Sequence, residues 1–180
     1  MKWIIITCYL IAIVLSNTLT ASFEPLHFGD FIIPLGTFLI GFTFILRDAV
    51  QHYVGRKLAY VTIFTAMILS AITSQFLGDT LWIVFASAVT FFFSETVDTE
   101  IYTRLKLQQS YRVLFSGIAG SILDSTIFVI IGLSPIGANF IPWEFVANAI
   151  LGQVIVKGLL QIIASSVIQA FEKSREKVSL

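Results

Sequence analysis

The sequence has little charge and almost no cysteine. Only 12% of its 180 residues are charged, whereas soluble domains carry about 25%. This scarcity excludes an ordinary soluble enzyme, a disordered chain and a nucleic-acid-binding protein. The formal net charge is zero, so no overall field attracts a polyanion. The single cysteine, Cys8, excludes an internal disulfide and a zinc site built from cysteines.

Apolar residues dominate instead, at 57% of the chain. A membrane-spanning helix needs about 20 mostly apolar residues, whereas a transmembrane β-barrel needs alternating strands. Runs such as Thr90–Phe93 do not alternate, which favours helices. We therefore predict an all-α integral membrane protein with one domain, residues 1–180, and six transmembrane helices. The predicted spans are Trp3–Thr20, Phe31–Leu46, Leu58–Leu77, Leu81–Ile101, Val113–Leu133 and Phe145–Ala170.

Basic residues are distributed unevenly between the two ends of these spans. The connections Ala21–Asp30, Gly78–Thr80 and Ser134–Glu144 contain no Lys or Arg, and ten of the eleven basic residues fall at the opposite end. Positive charge stays on the cytoplasmic side, which predicts cytoplasmic termini and a multi-pass protein of the cell inner membrane. The alternative is that the first span is a cleaved signal peptide, which would leave five spans.

Two opposite charges lie near the predicted midplane of the bilayer. At 1.5 Å per residue, Asp124 and Lys157 are each about 16–20 Å from the cytoplasmic ends of their spans. They form either a structural ion pair or a site for a substrate or a proton, because intramembrane charges often mark transport pathways. Gln153, Lys157 and Gln161 are spaced by four residues, so they share one helix face.

Further polar residues lie closer to the span ends. Glu95 and Asp98 share a face of the fourth span, and Arg47 and Asp48 end the second span on the same side. They predict either a salt-bridge cluster at the helix ends or a gate with ligand carboxylates. Asn17 in the first span is either an interhelical hydrogen-bonding residue or a ligand contact.

These residues belong to an ordered set of short motifs spread over about residues 30–160. The set resembles the vitamin uptake transporter family, also called the queuosine-precursor transporter family. The chain departs from it at His52, where an acidic residue is expected after the Arg–Asp pair. The motifs are Gly36-Thr37, Gly41, Phe44, Arg47-Asp48, Gly55-Arg56-Lys57, Ala59, Ala86-Ser87, Phe92, Ser94-Glu95, Asp98, Tyr102, Leu105, Ser116, Gly120, Asp124-Ser125, Phe128, Gly152-Gln153 and Lys157.

The resemblance implies a six-helix carrier that imports a 7-deazaguanine such as preQ0 or preQ1. A carboxylate can accept both adjacent donors of a guanine-like edge, and the segment Phe91–Phe93 offers aromatic rings for stacking. We expect no cofactor and no metal. The predicted substrate-binding residues are Asn17, Glu95, Asp98, Asp124, Gln153 and Lys157, and the predicted gate or structural residues are Arg47 and Asp48.

Three mechanisms follow from these features. The first is secondary transport, with Asp124 or Glu95 protonated in one state. The second is a substrate-binding subunit of an ATP-driven vitamin transporter, because Ala12, Ser16 and Thr20 form a small-residue stripe that could dock an energising module. The third, an intramembrane enzyme, would need a nucleophile–base pair or metal ligands that the sequence does not offer. A purely structural bundle is the remaining alternative, but it would leave the cost of two midplane charges unexplained. A homo-oligomer is left open.

Overall fold

A computed structural model describes residues 2–78 and 81–178 of the chain. In this part the chain forms six α-helices and one small β-hairpin, which agrees with the predicted helical architecture. The elements are α1 (Lys2–Ser22), β1 (Leu26–Phe28), β2 (Phe31–Ile33), α2 (Gly36–Val54), α3 (Arg56–Phe76), α4 (Leu81–Arg104), α5 (Gln109–Ile127), a π-helical turn (Phe128–Leu133) and α6 (Trp143–Val178).

The outer surface of the bundle is apolar. Trp3, Phe76 and Phe171 expose 77%, 87% and 68% of their surface, and such exposure is stable only where hydrocarbon replaces water. Within the described residues, four helical segments are long and apolar enough to cross a membrane: Lys2–Ser22, Arg56–Phe76, Gln109–Leu133 and Trp143–Ser174. The remaining helices, α2 and α4, carry buried charged residues. The chain is therefore a membrane protein.

The second helix differs from the predicted span Phe31–Leu46. Residues Phe31–Ile33 form a strand, because the residue before Pro34 is disfavoured in the helical region. At the other end, α2 continues past the predicted boundary to Val54. It ends at Gly55, whose φ of 82° suits glycine. The predicted span was wrong at its start because it included this strand, and at its end because the charged pair Arg47-Asp48 was taken as the end of the helix.

The hairpin covers one end of the bundle. Its antiparallel strands pair Leu26 with Ile33 and Phe28 with Phe31, and Gly29 begins the tight turn with a φ of 59°. A Cβ atom at Gly152 of α6 would lie 3.1 Å from the Ile33 side chain. The hairpin therefore rests directly on the first half of α6.

Small residues allow close contact between the helices. The ends of α1, α3 and α5 lie on the hairpin side, because Thr20, Ser74 and Asp124 border the same interior cavity as His27 of the hairpin. A Cβ atom at Gly41 of α2 would lie 3.3 Å from the Lys157 backbone of α6. A Cβ atom at Gly120 of α5 would lie 3.1 Å from the Asp98 side chain of α4. Such contacts bring polar groups of separate helices together in the interior.

Candidate functional site

A cavity of about 520 Å³ lies inside the bundle at the hairpin end. All six helices contribute to its walls, and the hairpin residue His27 and Phe140 of the α5–α6 connection contribute at its mouth. Both of these residues are exposed, whereas Lys157 on the inner wall is 1% exposed. The volume of the cavity falls within the range of about 300–1,000 Å³ that is typical of small-molecule sites. The bundle can therefore hold one small ligand.

The inner wall of the cavity carries the Asp124–Lys157 ion pair. The Lys157 ammonium lies 2.5 Å from Asp124 Oδ2 and donates to Ser125 Oγ at 2.9 Å and to Gln153 Oε1 at 3.2 Å. The Lys157 side chain is 1% exposed and the Asp124 side chain 12% exposed. The pair joins α5 to α6, and its carboxylate, rather than its ammonium, is the charge that a ligand can reach.

Two buried polar groups on the cavity wall are free to bind a ligand. Gln153 Nε2 and Thr90 Oγ1 have no hydrogen-bond partner among residues 2–78 and 81–178. Both residues line the cavity, and they are 2% and 3% exposed. Because a buried polar group without a partner costs about 1–3 kcal/mol, these groups favour a cavity filled by water or by a polar ligand.

Asn17 also lines the cavity. Its side-chain nitrogen donates to the Ser70 carbonyl oxygen at 3.2 Å and to Ser70 Oγ at 2.9 Å. The residue therefore joins α1 to α3, as the interhelical alternative predicts, and it also stands on the wall that a ligand would touch. The contact of Asn17 with a ligand stays a prediction.

Arg47, Asp48, Glu95 and Asp98 form a second buried group, which we call the Arg47 cluster. The Arg47 guanidinium lies 2.8 Å from Asp48 Oδ1 and 3.0 Å from Glu95 Oε2, and it also pairs with Asp98. It donates to Gln51 Oε1 at 3.2 Å. All four cluster residues are 0–1% exposed. The ion pairs are those that the salt-bridge alternative predicts, but they lie in the interior rather than at solvated helix ends.

The position of the cluster separates Glu95 and Asp98 from the other predicted substrate-binding residues. Neither residue lines the cavity, whereas Asn17, Asp124, Gln153 and Lys157 do. Glu95 and Asp98 lie on a face of α4 that is directed towards Arg47 of α2, and both carboxylates pair with Arg47. The structure thus divides the predicted site into a cavity group and an ion-paired group.

Several cavity residues were missed from the sequence. Ser70 and Ser74 lie four residues apart on α3, and Ser87 and Thr90 lie three apart on α4, so each pair shares a helix face. That spacing was the available signal, although hydroxyl residues in membrane helices often serve only close packing. A further missed group is the Phe128 ring on the π-helical turn.

The aromatic segment Phe91–Phe93 divides between the interior and the surface. Phe91 is 6% exposed and lines the cavity, whereas Phe92 and Phe93 are each 50% exposed on the outer face. Consecutive residues on a helix point in different directions, so one ring alone of this segment can stack on a bound heterocycle. Phe128 supplies another ring in the same cavity.

The small-residue stripe on α1 packs within the chain. Ser16 Oγ donates to the Gly36 carbonyl oxygen at 2.8 Å, and a Cβ atom at Gly36 would collide with Thr20 and Ser16. Ala12 is 7% exposed. Part of the stripe is therefore covered by α2, whereas Thr20 is exposed, and docking of a separate partner stays a prediction.

Comparison with known proteins gives one match. Residues 71–171, more than half of the chain, match the sequence model of a family described as "Putative vitamin uptake transporter". The matched region includes α4, α5 and most of α6, and so contains Glu95, Asp98, Asp124, Gln153 and Lys157. No curated protein and no solved structure matches the chain. The description indicates transport rather than catalysis.

Proposed function

Because this chain belongs to the vitamin uptake transporter family, we propose that it imports a small heterocyclic nutrient through the cavity at the hairpin end. The proposed substrate is a queuosine precursor, a 7-deazaguanine such as preQ0 or preQ1. The observation that carries the proposal is a cavity of about 520 Å³ whose inner wall combines the Asp124–Lys157 pair with the free amide of Gln153.

The chemistry of the cavity wall suits a flat, polar heterocycle. The accessible carboxylate of Asp124 can accept two adjacent N–H donors in a bidentate arrangement. Gln153 Nε2 and Thr90 Oγ1 are free to donate to a ring carbonyl or nitrogen. Phe91 and Phe128 offer rings that can stack on the heterocycle.

The proposed mechanism is secondary transport with alternating access. In the orientation favoured by the positive-inside rule, the hairpin end faces the outside of the cell inner membrane and the cavity receives external substrate. The Arg47 cluster closes the pathway on the cytoplasmic side in this state. Rocking of the helices would open the cluster and close the hairpin end.

The test is uptake of radiolabelled preQ0, preQ1 and biotin by cells that express only this protein as an uptake route. We expect uptake of a deazaguanine, and loss of that uptake in Asp124→Asn and Lys157→Met variants with normal membrane insertion. The matched control is Ser166→Ala, because this exposed α6 hydroxyl bonds only its own helix, at 2.8 Å. Uptake at the wild-type level in both cavity variants would contradict the proposal.

The alternative is a substrate-binding subunit of an ATP-driven vitamin transporter. Purified chain in proteoliposomes, without nucleotide and without any other protein, separates the two mechanisms. Uptake under these conditions supports a carrier that works alone. Binding of substrate without uptake would instead indicate that an energising module is missing.

A further inference from the structure

A line of polar residues connects the cavity with the Arg47 cluster. Thr90, Ser94 and Asp98 are spaced by four residues on α4, so they share one face and are about 6 Å apart along the axis. Thr90 lines the cavity, and Asp98 belongs to the cluster. In the described part of the chain, the hydroxyls of Thr90 and Ser94 have no hydrogen-bond partner, and Ser94 is 0% exposed. A hydroxyl both donates and accepts hydrogen bonds, so this row can carry a proton when water molecules bridge the gaps between its members.

The cluster itself contains more negative than positive charge. One guanidinium, that of Arg47, stands among the three carboxyl groups of Asp48, Glu95 and Asp98. If all three were ionised, two excess negative charges would be enclosed by groups that are 0–1% exposed. Asp48 Oδ2 and Asp98 Oδ1 have neither a hydrogen bond nor an ion-pair contact from any described residue, whereas the other oxygen of each carboxyl group contacts Arg47.

Among the side chains that the structure describes, no cation other than Arg47 forms an ion pair with the cluster carboxylates. Tyr9 of α1 lies next to Glu95. Asp124 and Arg112 of α5 act on Glu95 and Asp48 at longer range. The other charged groups nearby have partners outside the cluster. Arg112 donates to the Tyr102 carbonyl oxygen, and Lys157 binds Asp124. Glu172 binds the start of α5, and Arg56 and Tyr60 bind Glu100.

Burial of uncompensated charge costs far more than adding a proton to a carboxylate. Two carboxylates that share one site are therefore not both ionised. We infer that the Arg47 cluster carries at least one proton in this state, and that this proton is the coupling ion of transport. The inference rests on the proposed function only for coupling, since the proton follows from the cluster alone.

The proton transfer involves water on both sides of the membrane. A proton leaves water in the cavity and passes along the hydroxyls of Thr90 and Ser94 through water molecules that bridge the gaps of about 6 Å. It then forms an O–H bond with a carboxylate oxygen of the cluster. When the helices open on the opposite side, water reaches Arg47 and the carboxylates, and the proton leaves. The cluster thus links closure of the pathway to its protonation.

The first experiment detects the proton without any substrate. Full-length protein in lipid nanodiscs at neutral pH is examined by infrared spectroscopy for the C=O band of a protonated carboxylic acid. We expect this band in the wild type and its loss or clear weakening in at least one of Asp48→Asn, Glu95→Gln and Asp98→Asn. Glu100→Gln is the matched control and should keep the band, because Glu100 lies outside the cluster and pairs with Arg56 and Arg104.

Two results would overturn the proton site. One is a wild-type spectrum without the band, and the other is a band that does not depend on the cluster, because it persists in all three cluster variants or is lost in Glu100→Gln. Correct folding of each variant is checked by its elution as a single species in detergent. This experiment is decisive even if the substrate has been assigned wrongly.

The second experiment tests coupling in proteoliposomes with radiolabelled preQ1 and preQ0. If one proton enters with each substrate molecule, a pH that is one unit lower outside than inside should concentrate the substrate about tenfold inside the vesicles. Glu95→Gln should lose this accumulation yet keep exchange of substrate at equal pH. Accumulation in Glu95→Gln at the wild-type level would overturn coupling through the cluster. Absence of any wild-type uptake would reject the proposed function and leave the infrared result standing.

Discussion

At the scale of single residues, the Asp124–Lys157 pair combines a structural and a functional role. Removing one partner of a buried ion pair leaves an uncompensated charge and costs about 3–5 kcal/mol. Asp124→Asn and Lys157→Met should therefore each lower the thermal unfolding temperature in detergent. The double variant removes both charges, so it should recover most of the stability but none of the uptake.

The exposed pair of Arg56 and Glu100 provides a control for this prediction. The Arg56 side chain is 50% exposed, and such pairs contribute about 0–1 kcal/mol. Glu100→Gln should change the unfolding temperature little. Recovery of uptake together with stability in the Asp124→Asn/Lys157→Met double variant would show that the pair serves packing alone.

The Thr90 hydroxyl should matter for substrate rather than for stability. Thr90→Val removes a buried hydroxyl without a partner among the described residues, so stability should stay equal or rise. Loss of one ligand hydrogen bond is worth about 1 kcal/mol, or about a fivefold increase in KM. Uptake kinetics and thermal unfolding measure the two effects separately.

Thr43→Val is the matched control for Thr90. The Thr43 hydroxyl is also buried, but it donates to the Ile40 carbonyl oxygen at 2.7 Å and lies outside the cavity. It should leave KM unchanged. An unchanged KM in Thr90→Val as well would remove this hydroxyl from substrate binding.

The sequence could place some charged residues better than others. Lys157 and Asp124 lie deep inside apolar segments. Charged residues at that depth usually pair with each other, because an unpaired charge in the bilayer is costly. Arg47 and Asp48 follow an apolar run and are followed by more polar residues, so hydropathy cannot distinguish a buried polar face from a helix end. For that reason the pairing of Arg47 was predictable, while its depth in the bundle was not.

At the scale of elements, the contact between α1 and α2 depends on one glycine. Ser16 donates to the Gly36 carbonyl oxygen at 2.8 Å, and a methyl group at Gly36 would collide with Ser16 backbone. Gly36→Ala should therefore separate the helices and destabilise the protein by about 1–3 kcal/mol. Thermal unfolding in detergent measures this loss.

Gly158 of α6 offers the opposite case. A Cβ atom there meets nothing within 4 Å, and alanine favours the helix by up to about 1 kcal/mol. Gly158→Ala should leave the unfolding temperature equal or slightly higher. Equal effects of the two substitutions would contradict the close contact at Gly36.

The helices themselves were largely predictable, because length and hydropathy decide whether a segment can span a bilayer. The hairpin was not, since three-residue strands leave no periodic signal. Phe31–Ile33 reads as an apolar run that continues into α2, and only Pro34 hints at the break. The cavity depends on this interruption between the strand and α2, because hairpin residues form part of the cavity wall.

At the scale of the whole molecule, the two ends of the bundle differ in how their polar groups are arranged. The hairpin end holds a cavity with free polar groups, and the other half holds a buried, ion-paired cluster around Arg47. No single motif in the sequence predicts this asymmetry, because it arises from helix rotations that bring Glu95 to Arg47 and Asp124 to Lys157. A carrier in one of its end states has this shape, open on one side and closed on the other.

The orientation of this asymmetry in the membrane can be measured with single cysteines. In a Cys8→Ser background, Asp30→Cys places a thiol on the exposed hairpin turn and Lys106→Cys places one between α4 and α5. The hairpin-side connections lack Lys and Arg, so the positive-inside rule puts them outside. An impermeant maleimide should label Asp30→Cys in right-side-out vesicles, and Lys106→Cys only after permeabilisation.

The reverse labelling pattern would turn the cavity towards the cytoplasm. External substrate could then reach Asp124 only after the Arg47 cluster had opened, and this state would be the one that releases substrate rather than the one that receives it. Protons would also meet the cluster from the external side, so coupling would need Arg47 to be hydrated before substrate binds. Orientation therefore decides which end of the bundle must move first, and a direct label on two loops is sufficient to determine it.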